Sequence, residues 1–383
     1  MLLLFLLSFI FSSCSFYRYS PKLHFEFEFF SDLRKKTENI KPELRKFEWS
    51  TPVFLHNYVI FATKSGVITK TRIDNQIGFN EWSQDIKSPI LGTPALIEKR
   101  GKIHIIVPAI DGFVYVIDFH NGRIIWKFKS YIPIISRVSV FGDLILIQDI
   151  QDRICAFSAA DISVSDQPNW CRDFQKSKGL TLFGTSSPAQ INGNIVAGFS
   201  DGNIVSIDPN GDILWFYDVS HFEENFTDID HLSTDEENIY FTSPSHFFKM
   251  NKDGKILWKR KIKFPKGIAV FGDGIVLSSL DGVEAYSKSG AVLWKQRFDK
   301  YGNVVRISEP KIFTDYVIVV VETGGKLSKH LGGVSNIFAL SLNTGKVVRY
   351  ISSPFSYHLS IYKNTLALLS VDTVAYIFSL KIY

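Results

Sequence analysis

The sequence predicts an all-β fold, an eight-bladed β-propeller of four-stranded antiparallel blades in which an N-terminal strand closes the last blade. Three observations support this prediction. The chain is 14% aromatic, with 33 Phe and 15 Tyr, and such residues suit the half-buried surface of a strand. Its seven tryptophans recur at intervals of 33 to 45 residues, which is the size of a propeller blade. Hairpin motifs recur with them, and the body of the chain has no long amphipathic helical period.

Two short motifs define the repeat. Five tryptophans end the motif Gly-x-x-x-Trp, namely Trp82, Trp126, Trp215, Trp258 and Trp294. Upstream of many of them an Asp-Gly pair separates two apolar runs, as at 111–112, 201–202 and 281–282. Such pairs are strong hairpin signals because tight turns need positive φ. One unit cannot bury both of its faces, so we expect neighbouring units to stack around an axis.

The repeat predicts eight blades. Six full units carry a tryptophan in their last strand and span residues 55–86, 94–129, 138–174, 188–219, 234–262 and 268–298. A seventh unit, 310–352, has Arg349 where the motif expects tryptophan. The eighth begins near residue 357 and contains three strands, around Leu359–Ile361, Leu366–Ser370 and Thr373–Leu380. We expect the segment around Trp49 to supply its fourth strand, which would remove an exposed sheet edge.

The first 46 residues predict export and anchoring. Residues 1–13 are uncharged, and their apolar run is too short to span a bilayer, which is typical of a signal peptide. The segment Phe11-Ser12-Ser13-Cys14 resembles the lipobox of bacterial lipoproteins, which implies that Cys14 is acylated. Because Ser15 follows, the resemblance also implies the periplasmic face of the outer membrane. Residues 14–46 are predicted to be the lipid anchor and a charged tether, and residues 47–383 the propeller.

Several kinds of site are excluded by the sequence. The net charge of +5 is small and dispersed, which argues against nucleic-acid binding. The segment 198–202 matches Gly-x-Ser-x-Gly, but a strand follows it where a hydrolase needs a helix, so a blade hairpin is predicted. There is no His-Glu-x-x-His motif, Cys/His cluster or phosphate-binding loop, and Asp228-Ile229-Asp230 lacks the glycine and glutamate of a calcium loop. We therefore predict no catalytic residue, metal or cofactor.

Two features stay open. Cys155 and Cys171 lie on strands that we expect to be neighbours, where they form either a disulfide or two buried thiols. The insertion at 323–333 is basic and glycine-rich, and it is either a solvated loop or a contact for phosphate or lipid.

The repeat, for example Asp111-Gly-Phe-Val-Tyr-Val-Ile-Asp118 before Gly122-x-x-x-Trp126, resembles that of pyrroloquinoline-quinone-type propellers. Quinoprotein dehydrogenases of this type hold the quinone and calcium on the axis and typically have adjacent cysteines, which this chain lacks. The whole chain better resembles the BamB family of outer-membrane β-barrel assembly lipoproteins. That resemblance implies a lipidated cysteine, a short tether, eight blades and no enzyme activity.

The same resemblance implies a partner-binding site. In the family, a loop before the fourth unit carries leucines and an arginine, and the next interblade loop carries Asp-x-Asp. Here Leu180, Leu182 and Phe183 stand at the first place, with Phe183 replacing the arginine, and Asp228 and Asp230 stand at the second. In the family these loops contact a periplasmic POTRA domain of the insertase BamA. The leucines would be apolar anchors and the aspartates would accept hydrogen bonds from basic or amide groups.

The function implied is that of a non-catalytic scaffold that binds BamA and other assembly subunits and aids insertion of unfolded outer-membrane proteins. Two leucines before a glycine, outside the blade strands, also fit an exposed apolar partner site, although the start of an inward-facing strand would show the same pattern. The alternatives are a quinone-dependent periplasmic dehydrogenase and a propeller that binds glycan at its axis.

Overall fold

The computed structural model of this protein describes residues 23–33, 48–74, 77–159, 167–174, 186–223, 226–324 and 334–382. These residues form eight antiparallel sheets, and no α-helix lies among them; two short 3-10 turns occur at Ser220–Phe222 and Asp299–Tyr301. Within the same residues no helix is long and apolar enough to span a bilayer. The predicted eight-bladed β-propeller is confirmed.

Each blade is a sheet of strands that follow one another in the chain, the last blade excepted. Blades 1 to 3 contain β2 (Val53–Leu55), β3 (Tyr58–Ala62), β4 (Val67–Asp74) and β5 (Ile77–Asp85); β6 (Ala95–Lys99), β7 (Lys102–Pro108), β8 (Phe113–Asp118) and β9 (Ile124–Lys129); and β10 (Ser139–Phe141), β11 (Leu144–Gln148), β12 (Arg153–Ser158) and β13 (Trp170–Asp173). Blades 4 to 6 contain β14 (Ala189–Ile191), β15 (Asn194–Gly198), β16 (Asn203–Ile207) and β17 (Ile213–Asp218); β18 (His231–Thr234), β19 (Asn238–Thr242), β20 (His246–Asn251) and β21 (Ile256–Lys261); and β22 (Pro265–Phe271), β23 (Gly274–Ser279), β24 (Gly282–Ser287) and β25 (Val292–Gln296).

Blades 7 and 8 depart from this pattern. Blade 7 contains β26 (Asn303–Ile307), β27 (Lys311–Phe313), β28 (Tyr316–Gly324), β29 (Val334–Ser341) and β30 (Val347–Ser352), and both β26 and β27 pair with β28. The blade therefore begins at Asn303, before the predicted unit 310–352. Its inner strand consists of β26 and β27 and is interrupted at Ser308-Glu309-Pro310. Blade 8 contains β31 (Leu359–Tyr362), β32 (Thr365–Leu369), β33 (Val374–Ile382) and, as its outer strand, β1 (Leu23–Asp32).

The strand that closes the ring is not where the sequence analysis places it. An N-terminal strand does complete the last blade, but it is β1, which pairs with β33 from Leu23 opposite Ile382 to Asp32 opposite Val374. Part of the segment predicted to be tether is therefore a blade strand. Trp49 instead stacks on Tyr357, with ring centroids 5.9 Å apart. The alternation of Phe and Glu from Phe25 to Phe29 is the strand signal that the charged composition of residues 20–46 obscured.

The first strand of each blade lies innermost. β18 contacts β14 and β22, β22 contacts β27, and β31 contacts both β27 and β2. We call the end of the ring at which these first strands begin the loop face; it carries the connections between blades and the hairpins between second and third strands. We call the opposite end the glycine-turn face, because the third strands end there in turns that contain Gly122, Gly211, Gly254, Gly290 and Gly345.

The tryptophan repeat has a direct packing explanation. Five tryptophans lie against a glycine of the following blade, namely Trp82, Trp170, Trp215, Trp258 and Trp294. A methyl group on Gly122 would lie 2.7 Å from Trp82 Cδ2, and one on Gly254 would lie 2.8 Å from Trp215 Cδ2. The indole Nε1 of Trp82 also donates a hydrogen bond to Phe119 O at 3.1 Å. Gly-x-x-x-Trp thus serves two interfaces, because its glycine receives one tryptophan and its own tryptophan packs on the next glycine.

The remaining cysteines form a disulfide. Cys155 on β12 and Cys171 on β13 face one another across the two strands, and their sulfur atoms are bonded. The segment 198–202 is the hairpin between β15 and β16, as predicted, and its Ser200 hydroxyl donates to an Asp152 carboxylate oxygen in the adjacent blade.

Candidate partner-binding face

Asp228, Ile229 and Asp230 lie on the loop face, immediately before the first strand of blade 5. The backbone fixes the segment between two blades, because Ile229 N donates to Phe199 O at 3.1 Å and Asp230 N donates to Thr242 O at 3.0 Å. The Ile229 side chain is buried against Gly198, where a methyl group would lie 2.3 Å from Ile229 Cγ2. The segment is thus held on both sides and presents a fixed backbone.

The two aspartates differ in exposure. Asp228 is 2% exposed, whereas Asp230 is half-buried. Burial and the neighbouring charge of Asp228 raise the pKa of Asp230 well above its ordinary value, although Lys266 acts in the opposite direction. Asp230 is therefore the more exposed of the two residues.

Leu180, Leu182 and Phe183 fall in 175–185, outside the described residues. The first described residue after them, Ser186, donates from its backbone N to Ile229 O at 3.3 Å. Its hydroxyl oxygen accepts from Gly198 N at 3.2 Å and donates to Gly198 O at 3.3 Å. The C-terminal end of the predicted leucine loop therefore lies directly beside the aspartate segment.

A polar cluster supports the segment from the other side. Glu223 lies next to the 3-10 turn Ser220–Phe222, and its carboxylate accepts from the Ser245 hydroxyl at 2.6 Å and lies 2.9 Å from His246 Nδ1. The Ser243 hydroxyl also donates to Glu223. Ser245 belongs to the hairpin between β19 and β20, so the cluster ties the interblade connection to blade 5.

Charged side chains from several blades meet near the axis on the loop face. Glu309, in the interruption of the inner strand of blade 7, lies 2.7 Å from Lys311 Nζ and 3.5 Å from His358 Nδ1. Burial alone would raise the pKa of Glu309, but Lys311, His358 and Arg137 hold it well below its ordinary value. Burial lowers the pKa of His231 to about 4, although the charge of Glu309 opposes this.

Sequence reasoning did not find this axial cluster. Its members, Arg137, His231, Lys266, Glu309, Lys311 and His358, lie at or just before the first strand of blades 3, 5, 6, 7 and 8. The sequence does place these charged residues at similar positions relative to the first strand of each blade. That signal can be used only when the exact start of each strand is known, and the tryptophan spacing does not give it. The cluster combines one carboxylate, that of Glu309, with basic residues and histidines. Within the described ranges, no group of three His, Cys, Asp or Glu is arranged to hold a metal ion.

The arrangement on the loop face is suited to binding. It offers a fixed backbone segment, one half-buried aspartate and adjacent charged groups of both signs. The insertion predicted at 323–333 also emerges on this face, but residues 325–333 lie outside the described residues. Its first residue, Thr323, donates through its hydroxyl to Tyr301 O at 3.1 Å.

Comparisons with known proteins point to one family. The family model described as outer membrane protein assembly factor BamB matches residues 71–245. A protein of Yersinia pestis with the same description is 22% identical over 287 residues, which cover 70% of each chain.

Solved structures share the fold. The crystal structure of BamB from Moraxella catarrhalis matches with a TM-score of 0.72 at 16% identity, covering 93% of this chain and 100% of the other. Sqt1 of Saccharomyces cerevisiae matches with the same TM-score of 0.72 at 9% identity, covering 92% and 98%. At these identities the structural matches show the fold alone. Family model and sequence relative agree with the predicted resemblance, and this chain is similar to the outer membrane protein assembly factor BamB.

Proposed function

We propose that this chain is a non-catalytic accessory protein of outer-membrane protein assembly whose loop face binds a periplasmic POTRA domain of BamA. The observation that carries the proposal is the hydrogen bond from Ser186 N to Ile229 O. Ser186 lies three positions after Phe183 in the chain, and this bond joins it to the aspartate segment, so the two elements implied by the family resemblance would lie side by side. The similarity to BamB supports the choice of BamA as the partner.

The proposed contact has an apolar and an acidic part. Leu180, Leu182 and Phe183 would provide the apolar anchors, since a few buried side chains carry most of the binding energy of an interface. Asp230 would accept from a basic or amide group of the partner. A cation near Asp230 would lower its raised pKa and favour the charged carboxylate. Asp228, being buried, would act on this contact through its charge.

We further propose that Cys14 is acylated and holds the chain at the periplasmic face of the outer membrane. Stable anchoring needs more than one acyl chain, which lipoprotein modification supplies. β1 begins beside the end of β33, on the glycine-turn face, and its length is about 30 Å. The partner-binding loops lie on the opposite face and would therefore stay clear of the anchor, open to other assembly subunits.

Unfolded outer-membrane proteins are the proposed clients. β9, β17, β21 and β25 are outer strands, and each pairs with one strand only within the part of the chain that the structure describes. An unpaired strand edge can accept an extended segment through backbone hydrogen bonds. Strand addition at these edges would hold a client in a conformation that suits a β-barrel.

The BamA contact is tested by co-purification from solubilised membranes, with the partners identified by mass spectrometry. We expect Leu180→Asp combined with Leu182→Asp to reduce recovery of BamA at least ~10-fold, since it places two charges in an apolar contact. The matched control is Ile213→Asp combined with Leu214→Asp, an exposed aliphatic pair at the glycine-turn face, which should leave recovery unchanged.

Thermal unfolding of both double variants establishes that the propeller stays folded. Undiminished recovery of BamA with the loop variant would remove the two leucines from the proposed site. Absence of BamA from the wild-type preparation would contradict the proposed function itself.

A further inference from the structure

The outer rim of blade 8 carries an exposed aromatic cluster. Phe27 and Phe30 on β1 are 53% and 60% exposed. Their ring centroids lie 6.3 Å apart, and Phe30 lies 6.3 Å from Tyr376 on β33. β1 also contacts β30 of blade 7, on which Tyr350 is 50% exposed. Large exposed aromatic groups of this kind commonly mark an interaction surface.

Comparison of the blades shows what is particular to this rim. Exposed aliphatic residues occur at the start of the outer strand in blades 2, 4, 5, 6 and 7. They are therefore spread around the ring and do not distinguish one side from another. The residue after the tryptophan is different. It is a lysine in blades 2, 5 and 6 and Phe216 in blade 4, whereas the register equivalents in blades 7 and 8 are Tyr350 and Phe30. Blades 7 and 8 are thus the one pair of adjacent blades, among those the structure describes, in which both present an aromatic ring at this position.

The position of the chain's N-terminal part indicates what covers this surface. Cys14 precedes Leu23, the first residue of β1, by nine positions, and nine residues reach at most about 30 Å. If Cys14 is acylated, the start of β1 stays within that distance of a bilayer, and the rim of blades 7 and 8 lies next to it. Aromatic side chains favour the boundary between headgroups and acyl chains, and Lys346 and Arg349, exposed beside Tyr350, suit lipid phosphates.

We propose that the rim of blades 7 and 8 rests in the headgroup region of a phospholipid bilayer, with Phe27, Phe30 and Tyr350 as the side chains that enter it. This inference rests on the proposed acylation of Cys14 and adds a second, protein-mediated contact to the anchor. One anchoring point leaves a protein free to rotate, whereas two contacts fix its orientation. The orientation of the loop face relative to the membrane is then fixed.

The test supplies the anchor chemically. In the chain from residue 14 onwards, which carries every described residue, Cys155 and Cys171 are bonded to each other. Maleimide lipid in phosphatidylethanolamine and phosphatidylglycerol vesicles therefore couples to Cys14 only. Hydroxyl-radical labelling with mass spectrometry then reports the exposure of each aromatic side chain, with the chain coupled to a soluble maleimide as reference.

We expect labelling of Phe27, Phe30 and Tyr350 to slow at least ~5-fold on vesicles, because the side chains leave water. Phe216, which is 71% exposed on blade 4, is the matched internal control and should label at an unchanged rate. Phe27→Ser combined with Tyr350→Ser should restore labelling of Phe30 on vesicles.

Three results would overturn the inference: unchanged labelling at all three residues, equal slowing at Phe216, or slowing that requires membrane proteins and is absent with pure lipid. None of them depends on natural acylation, which is tested separately by the mass of the N-terminal peptide from cells.

Discussion

At the scale of single residues, Glu48 joins the first and last blades. It is 2% exposed, and its carboxylate accepts from the Lys64 backbone N at 2.8 Å and from the Thr373 hydroxyl. Lys64 follows the second strand of blade 1, and Thr373 precedes the third strand of blade 8. Lys64 Nζ, 3.8 Å from the same carboxylate, also donates to Val371 O at 2.8 Å. Burial raises the pKa of Glu48 to about 7.

This raised pKa predicts a pH-dependent stability. The folded state holds the proton of Glu48 up to about pH 7, whereas the unfolded chain releases it at about 4.3. The stabilising contribution of the neutral carboxyl is therefore complete below about pH 4.3 and is lost as the pH rises through about 7. We expect the free energy of unfolding of the wild type, relative to Glu48→Gln, to fall by up to about 3 kcal/mol over this range. Urea unfolding at several pH values measures it.

The comparison with the variant separates the effect of Glu48 from that of groups whose contribution to stability changes with pH in the opposite direction. The pKa of His231 is lowered to about 4 by burial, so its neutral form stabilises the fold above about pH 6.5, and that contribution is lost as the pH falls through about 4. This term is common to the wild type and the variant and cancels in their difference. A difference that stays constant from about pH 4 to about pH 8 would show that Glu48 keeps its ordinary titration.

At the scale of elements, the outer strands share one construction. A bulged residue directly precedes the ring that packs on the next blade, as Leu214 precedes Trp215 and Leu293 precedes Trp294. In β1 the bulge is Glu28, and the ring that follows belongs to Phe29. A methyl group on Gly78 would lie 2.6 Å from Phe29 Cδ1. Phe29 therefore takes the place of the missing eighth tryptophan and packs on blade 1.

The Phe29 contact predicts unequal effects for two phenylalanines of one strand. Phe29→Ala should lower the free energy of unfolding by about 2–3 kcal/mol, because it removes packing at the interface of blades 8 and 1. Phe27→Ala should cost less than about 1 kcal/mol, because half of that side chain is already in water. Urea unfolding of the two variants and the wild type makes the comparison, and equal losses would contradict the assignment of Phe29.

The same construction explains what the sequence could and could not predict. Six blades were predicted from the tryptophan repeat, five of them through Gly-x-x-x-Trp, whose glycine receives an aromatic ring of the preceding blade. The closing strand was missed because Phe29 replaces the tryptophan and no glycine turn precedes it. The fold also explains why Arg349 stands where the motif expects tryptophan. Blade 8 has no glycine turn between β33 and β1, because these strands come from opposite ends of the chain. A tryptophan at 349 would have no such glycine to pack on.

At the scale of the whole molecule, ring geometry brings distant residues together. His231, Lys266, Glu309 and His358 belong to four successive blades, yet they influence one another's charge at the axis. No short sequence motif contains such a site, because its members share only a position relative to the innermost strands. The aspartate segment was predicted through family resemblance. That Ser186 lies beside it could be seen only in the folded structure.

Closure by β1 makes the ring depend on both ends of the chain. Without β1, β33 would expose a long edge whose residues are otherwise buried, including Phe378 and Leu380. Free edges of this kind pair with other chains. A chain beginning at residue 34 should therefore self-associate and unfold at a temperature at least ~5 °C lower. Sedimentation velocity and thermal unfolding measure the two effects.

Addition of a peptide of residues 23–33 should reverse both effects, because β1 pairs with β33 along its whole length and needs no covalent link to do so. A peptide in which Phe25 and Phe29 are both serine is the matched control, since it keeps the backbone hydrogen bonds but loses the two rings that pack towards blades 7 and 1. If the shortened chain stays monomeric and equally stable, β1 is dispensable for closure. Restoration by the wild-type peptide alone would show that interblade packing selects the closing strand.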